Sequence, residues 1–168
     1  MDRLVAHYHE IGLKGRNRDF FEDALTRNLK RALRGTGYKR VRHAFGRVVV
    51  DLYPDSRTSE ALERAARVFG IAYVGLGHRV APDLDQIGEV AVDLMQRTPF
   101  ESFRVRARRS YSTSKLSSND LSVVVGQRIK DETGGAVDLK HADATAWIEL
   151  FGNDGIVYRD RREGPGGL

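Results

Sequence analysis

The sequence contains no cysteine among its 168 residues. This absence excludes a disulfide framework, a thiolate metal or iron–sulfur site, and a cysteine nucleophile or persulfide carrier within these residues. Long hydrophobic runs are also missing, because the longest apolar stretches have about five residues and a membrane helix needs about 20. The opening residues, Met1 to Val5, lack the charged and then apolar layout of a signal peptide. We therefore expect a cytoplasmic protein without a membrane partner.

Positive charge is concentrated in the first part of the chain. The net charge is +5, but residues 1–50 carry +7 and residues 51–168 carry −2. Arginine accounts for 22 of the 28 basic residues, and its planar guanidinium binds phosphate through two parallel hydrogen bonds. A basic excess of this kind favours a nucleic-acid partner, although the base composition of a genome produces the same arginine bias.

Hydrophobic periodicity predicts an α/β (α+β) protein with two domains. Residues 1–80 follow the order β-α-β-β-α-β of a ferredoxin-like domain. Residues 81–168 follow the order α-β-α-β-β-β, with Ser117 opening the second helix of this half. Asn17 is the predicted cap of the first helix, and the predicted buried faces of the first two helices carry Phe21, Leu25, Leu29 and Leu33, then Leu62, Ala65, Ala66 and Phe69.

The most informative stretch is an alternating strand from Phe103 to Arg109. Side chains of a strand alternate between two faces, so one face of this strand carries a row of three arginines: Arg104, Arg106 and Arg108. Such a row needs an anion, which is either a protein carboxylate such as Asp138 or Glu149, or an RNA backbone. Arg109 and Lys115 follow this row closely in the sequence and are further candidate phosphate ligands, and Lys140 is another candidate from a later stretch of the chain.

A second basic element runs from Gly12 to Arg18. Two glycines free its backbone, and Lys14, Arg16 and Arg18 lie beside a predicted helix start. The segment lacks the Gly-Lys-Ser/Thr ending of a Walker loop, so a solvated turn fits it as well as a phosphate-binding loop does.

Two other features have a structural and a functional interpretation. His7 and His9 share a strand face, but no third ligand is evident, which favours packing or a surface role over metal binding. Trp147 alternates with Thr145 and Glu149, so it either packs in the core or stacks on a base. No residue of the chain is predicted to be catalytic.

Several stretches together resemble the tRNA 4-thiouridine synthetase (tRNA sulfurtransferase) family, in its N-terminal ferredoxin-like plus THUMP region. The likeness runs in order over essentially the whole chain, in Tyr8 to Arg18 with Phe20-Phe21, Val68 to Ile71, Phe103 to Arg109, Val137 to Lys140, and Gly164 to Leu168. The resemblance implies a ferredoxin-like domain over 1–80 and a THUMP domain over 81–168, with a THUMP start near residue 58 as the alternative.

The resemblance also implies the function and the partners. In this family the two domains hold the acceptor end of tRNA, and a PP-loop domain uses ATP to adenylate a uridine before a cysteine delivers sulfur. The chain lacks the Ser-Gly-Gly-x-Asp-Ser loop of that domain, so we expect no cofactor here and a PP-loop domain in cis or trans. A sulfur-donor protein is a further candidate partner, and the resemblance leaves a homodimer open.

Two alternatives belong to other classes. A THUMP domain is also joined to RNA methyltransferases, deaminases and pseudouridine synthases. A ferredoxin-like fold also serves as a ligand-binding or protein-docking domain without any role in RNA.

Overall fold

A computed structural model describes residues 1–9 and 16–166, with Arg16 described by its backbone only. The described chain divides into two compact units. The first contains residues 1–76 together with residues from Arg161 onward, and the second contains Gly77–Asp160. Residues 161–166, which the sequence places with the second domain, thus pack with the first unit.

The first unit has the predicted order of strands and helices. Its elements are β1 (Asp2–Tyr8), α1 (Arg16–Ala32), β2 (Tyr38–Ala44), β3 (Arg47–Leu52), α2 (Thr58–Ala66), the first half of β4 (Ile71–Val80), and the two-residue strand β9 (Arg162–Glu163). The strand order is β2-β3-β1-β4, with β3 antiparallel to both β1 and β2, and β9 pairs with β4.

The core of this unit forms where both helices cover one face of the sheet. Leu25, Leu29 and Leu33 are fully or almost fully buried, which confirms the four-residue spacing of α1. They pack in one cluster with residues of β1, β3 and α2, including Leu4, Val48, Val50, Ala61 and Ala65. Burial of these apolar side chains is the main force that holds the unit together.

Two sequence predictions for the first unit are wrong. Helix α1 begins at Arg16, so Asn17 lies inside the helix and does not cap it. Helix α2 ends at Ala66, and Phe69 follows it with 67% of its surface exposed instead of being buried. Helical spacing predicts a buried Phe69 only if the helix continues for another turn, and the chain turns before that point.

The second unit also has the predicted order. Its elements are the second half of β4, α3 (Leu84–Gln96), β5 (Ser102–Ser110), α4 (Ser118–Thr133), β6 (Ala136–Val137), β7 (Ala144–Phe151) and β8 (Asp154–Arg159). The strand order is β4-β8-β7-β5-β6, with β5 parallel to β6 and β7. Side chains of α3, α4 and one sheet face form a single core, which includes Ile87, Met95, Phe103, Leu121, Ile129 and Ile148.

Both ends of α4 have well-defined caps. The Ser117 hydroxyl accepts a hydrogen bond from the Asp120 N–H at 3.0 Å, as the sequence predicts. Gly134 ends the helix in a left-handed conformation at φ +76°, which favours glycine. Local hydrogen bonding and backbone conformation therefore set where α4 starts and stops. The helix comes directly after the loop that follows β5.

No helix in the described ranges is both long and apolar enough to span a membrane.

Candidate nucleic-acid interface

The arginine row lies on β5, on the sheet face opposite to α3 and α4. Phe103 and Val105 point into the helix-covered core, so the alternation of the strand turns Arg104, Arg106 and Arg108 to the other face. Arg104 is half-buried, whereas Arg106 and Arg108 are exposed. At about 3.3 Å per residue, successive arginines along the row are spaced about 7 Å apart.

Neighbouring polar groups hold two of the three guanidinium groups. Arg104 Nε donates to Thr145 Oγ1 at 2.9 Å, and its Nη1 donates to the Leu139 carbonyl at 3.2 Å. Arg106 Nη2 donates to the same carbonyl at 3.2 Å. Each guanidinium has five donors, so both arginines keep N–H groups for another acceptor.

The two carboxylates considered as partners of the row have other partners. Asp138 Oδ1 accepts the N–H groups of His141 at 2.9 Å and Lys140 at 3.0 Å. These two bonds are the main causes that lower the pKa of Asp138, and the charge of Arg104 makes a smaller contribution in the same direction. Glu149 is buried and accepts the Tyr158 hydroxyl at 2.5 Å. In the part of the chain that the structure describes, no carboxylate forms a salt bridge with any arginine of the row.

The remaining candidates of the second unit surround the row. Arg109 points to the other face of β5, and its guanidinium donates to the Ser114 carbonyl. Lys115 is exposed in the loop between β5 and α4, and Lys140 is exposed in the turn after β6. The structure therefore separates Arg109 from the row, although the sequence places it next to Arg108.

A groove of about 450 Å³ borders the row at the edge of the sheet. Its apolar lining includes Phe103, Val105 and Leu139, and the charged side chains that line it in the described ranges are Arg106 and Lys130. The local charge is thus positive, which suits an anionic ligand. Lys130 was not among the predicted phosphate ligands, because it lies in the last turn of α4 and not in a basic stretch of the sequence.

The candidates of the first unit are only partly described. Lys14 and the side chain of Arg16 lie outside the described residues. Arg18 Nε donates to Glu22 Oε1 at 2.7 Å, and Glu22 Oε2 also lies 2.6 Å from His43 Nε2. Part of the Arg18 charge is therefore neutralised by a nearby carboxylate.

Trp147 and His7 pack against neighbouring rings, whereas His9 follows the end of β1 and is exposed. Trp147 is half-buried and stacks on Tyr158, with ring centroids 6.1 Å apart and an angle of 12° between the rings. His7 is buried and stacks on Tyr73 at 4.7 Å. Among the described residues no group of three or more His, Asp or Glu side chains could hold a metal ion.

Comparisons with known proteins match this architecture. A family model described as the ThiI ferredoxin-like domain matches residues 3–75, and a model described as the THUMP domain matches residues 81–160. A probable tRNA sulfurtransferase of Moorella thermoacetica is 34% identical over 166 residues. The chain corresponds to the ferredoxin-like plus THUMP region of the tRNA sulfurtransferases. The match covers 98% of this chain but only 42% of the relative, so the chain corresponds to less than half of that protein's length.

Two solved structures have a fold similar to that of this chain. The crystal structure of PH1313 from Pyrococcus horikoshii aligns with a TM-score of 0.91 and 30% identity, over 100% of this chain and 57% of that one. A 4-thiouridine synthetase, solved as an RNA complex with bound ATP, aligns with a TM-score of 0.82 and 26% identity. That alignment covers 100% of this chain and 43% of the other.

Proposed function

We propose that this chain is the tRNA-binding region of a tRNA sulfurtransferase and that it holds the acceptor end of tRNA. The observation that carries the proposal is the row of Arg104, Arg106 and Arg108, because its cations form no salt bridge with a carboxylate in the described part of the chain. The solved RNA complex of a similar protein supports RNA as the anion. Lys14, Arg16, Arg18, Arg109, Lys115 and Lys140 are proposed as additional phosphate ligands.

In this proposal the arginine row recognises the shape and the backbone of tRNA, not its base edges. The major groove of an A-form helix is too narrow for side chains to read base edges, so cations on a sheet face contact phosphates and riboses. Phosphate contacts release counterions, and this gives the affinity a steep dependence on salt.

Catalysis is assigned to a part of the protein outside these residues. We infer that a PP-loop domain, joined in cis or supplied in trans, binds ATP and activates the uridine that receives sulfur. The relative from Moorella thermoacetica is long enough to contain such a domain, since this chain covers 42% of it. In this proposal the two described units position the tRNA and provide no group to the chemical step.

A titration of tRNA against salt tests the proposal. We expect the double variant Arg106→Glu/Arg108→Glu to bind tRNA more weakly than the unchanged chain. Each lost phosphate contact lowers the slope of log affinity against log salt by about 0.7–0.9, so the slope falls by about 1.4–1.8. The measurement is fluorescence anisotropy of labelled tRNA at several salt concentrations.

A matched control reverses two charges on the helix side of the same unit. Arg97 pairs with Asp93 at 2.7 Å and Arg128 pairs with Glu132 at 3.1 Å. Arg97→Glu/Arg128→Glu changes the net charge equally, and we expect a smaller loss of affinity. Unchanged tRNA binding in Arg106→Glu/Arg108→Glu, or equal losses in both double variants, would contradict an RNA-binding row.

A further inference from the structure

A buried carboxylate joins three elements of the first unit. Glu22 of α1 is 6% exposed, and each of its two oxygens contacts a basic side chain. Oε1 accepts Arg18 Nε at 2.7 Å, and Oε2 lies 2.6 Å from Nε2 of His43 on β2. The hydroxyl oxygen of Tyr8, the last residue of β1, lies 2.9 Å from the same nitrogen. The arginine and the histidine are thus held side by side on one carboxylate.

These contacts assign the hydrogen on the His43 ring. Glu22 forms an ion pair with Arg18, and an ionised carboxylate only accepts hydrogen bonds, so Nε2 carries the hydrogen that it donates to Glu22. In a neutral imidazole the other nitrogen, Nδ1, is then an acceptor, which repels a phosphate oxygen. Protonation turns Nδ1 into a second donor while Nε2 stays bonded to Glu22. Nδ1 forms no hydrogen bond within the described part of the chain, and the His43 side chain is 31% exposed.

The surroundings of His43 make the charge of this cluster depend on one proton. On β3 the partner of His43 is Val48, which is apolar and buried. On β1 the ring faces Tyr8, and on α1 it faces Glu22, with Arg18 on the other oxygen of that carboxylate. The charges of Glu22 and Arg18 cancel when His43 is neutral, and the three side chains carry +1 when it is protonated. Histidine is the side chain whose charge ordinarily changes between pH 5 and 8.

We propose that protonated His43 is a phosphate ligand of the bound RNA, next to Arg18. This inference rests on the proposed function, in which Arg18 contacts the tRNA backbone. The phosphate accepts the Nδ1–H of His43, while Glu22 positions the ring by accepting the Nε2–H. Because the phosphate favours the charged ring, RNA and a proton strengthen the binding of each other.

The arginine row of the second unit provides a background that does not depend on pH. A guanidinium group keeps its charge at every pH at which RNA binding is measured, so the row contributes equally at pH 6 and pH 8. Any gain in affinity between these two values therefore comes from groups that take up a proton. The test is to show that His43 is the group responsible.

The first measurement is the affinity of the unchanged chain for tRNA between pH 8 and pH 6. We expect the affinity to rise about two- to fivefold toward pH 6, which is the effect of one partly exposed ion pair. The slope of log affinity against log salt should become steeper by about 0.7–0.9 over the same range, because one more phosphate contact forms. Fluorescence anisotropy of labelled tRNA gives both quantities.

Two substitutions of His43 assign this pH dependence. His43→Gln keeps a donor for Glu22 but takes up no proton, so we expect its affinity to be the same at pH 6 and pH 8. His43→Arg carries a permanent charge, so at pH 8 it should bind as tightly as the unchanged chain does at pH 6. His9→Gln and His141→Gln are the matched controls, because both histidines are exposed, and both variants should retain the rise toward pH 6.

Nuclear magnetic resonance follows the His43 ring directly in the unchanged chain. The ring signal is assigned by its loss in His43→Gln, and its shift with pH gives the midpoint of the titration. A two- to fivefold coupling between RNA and the proton corresponds to a midpoint about 0.3–0.7 pH units higher with bound tRNA than without it. A purely structural role of His43 gives the same midpoint in both samples.

The outcomes separate this inference from the proposed function. If the unchanged chain binds no tRNA at any of these pH values, the proposed function itself fails. If the chain binds tRNA equally at pH 6 and pH 8, or if His43→Gln shows the same rise as the unchanged chain, only the inference about His43 is wrong. An identical titration midpoint with and without bound tRNA would also overturn it.

Discussion

A buried ion pair in the first unit shows how one residue depends on its neighbours. Arg3 and Asp51 are 1% and 2% exposed, and Arg3 Nε donates to Asp51 Oδ1 at 2.7 Å. Arg40 Nη2 adds a contact to Asp51 Oδ2 at 3.2 Å. Burial alone raises the pKa of Asp51, but the hydrogen bonds and charges of Arg3, Arg40 and Arg42 together lower this pKa below its ordinary value. The carboxylate is therefore charged in the folded protein.

Stability should depend on this carboxylate in acid. Because the pKa of Asp51 is lower in the folded than in the unfolded chain, its contribution is fully present above about pH 4 and is lost as the pH falls through the folded pKa. We expect Asp51→Asn to reduce the free energy of unfolding by about 3 kcal/mol or more at pH 7. Urea unfolding from pH 7 to pH 3 should show this difference shrinking below about pH 4.

The double replacement Arg3→Met/Asp51→Leu is the control for that variant. It removes both buried charges, so it should cost less than Asp51→Asn, which leaves Arg3 with a buried charge. If Asp51→Asn is as stable as the unchanged chain at pH 7, or if the difference persists unchanged at pH 3, the buried pair does not stabilise the fold.

At the scale of single elements, the cap of α4 offers a direct test. The Ser117 hydroxyl satisfies the Asp120 N–H, which has no partner inside the first turn of the helix. Ser117→Ala should therefore lower the free energy of unfolding by about 1 kcal/mol. The neighbouring Ser118→Ala is the control, because Ser118 is the first residue of the helix and is not its cap. Thermal unfolding by circular dichroism measures both, and equal stability of the two variants would argue against the cap.

The helices and strands that depend on local patterns could be predicted from the sequence. The spacing of Leu25, Leu29 and Leu33 predicts the buried side of α1. The turn between β2 and β3 occurs at Phe45 and Gly46, and both residues have positive φ. Strand β9 could not be predicted, because two residues have no measurable period and the pairing with β4 joins segments far apart in the chain.

In the candidate site, too, local features could be predicted from the sequence and long-range contacts could not. Alternation along β5 predicts that Arg104, Arg106 and Arg108 share a face, since this depends only on the period of a strand. The contacts of Arg104 and Arg106 with the Leu139 carbonyl depend on a loop more than thirty residues away.

At the scale of the whole molecule, the chain leaves the first unit and returns to it. After β8, residues 161–166 pair with β4 and are held there by backbone bonds. The Gly164 N–H donates to the Ala72 carbonyl at 2.9 Å, and the Gly166 N–H donates to the Ile71 carbonyl at 2.8 Å. A Cβ on Gly164 would lie 2.3 Å from the Ile71 oxygen, so only glycine fits this close approach.

Removal of the returning segment should weaken the first unit selectively. A chain that ends at Asp160 lacks β9 and the two glycine bonds, whereas a chain that ends at Gly166 keeps them and serves as the control. Hydrogen exchange resolved by residue should show faster exchange of the β1 and β4 amides in the shorter chain. We expect the α3 and α4 amides to exchange at unchanged rates, and a uniform change or no change would contradict the assignment of this segment to the first unit.

The returning segment also sets an order of events on the ribosome. Roughly 80 residues separate the two parts of the first unit. At about 5–20 residues per second, their synthesis takes roughly 4–16 seconds. During this interval the nascent ferredoxin-like unit presents Tyr73 and Val74 of β4 without their β9 partners. The THUMP unit is one uninterrupted stretch and requires no such wait. The first unit to be translated is thus the last to be completed.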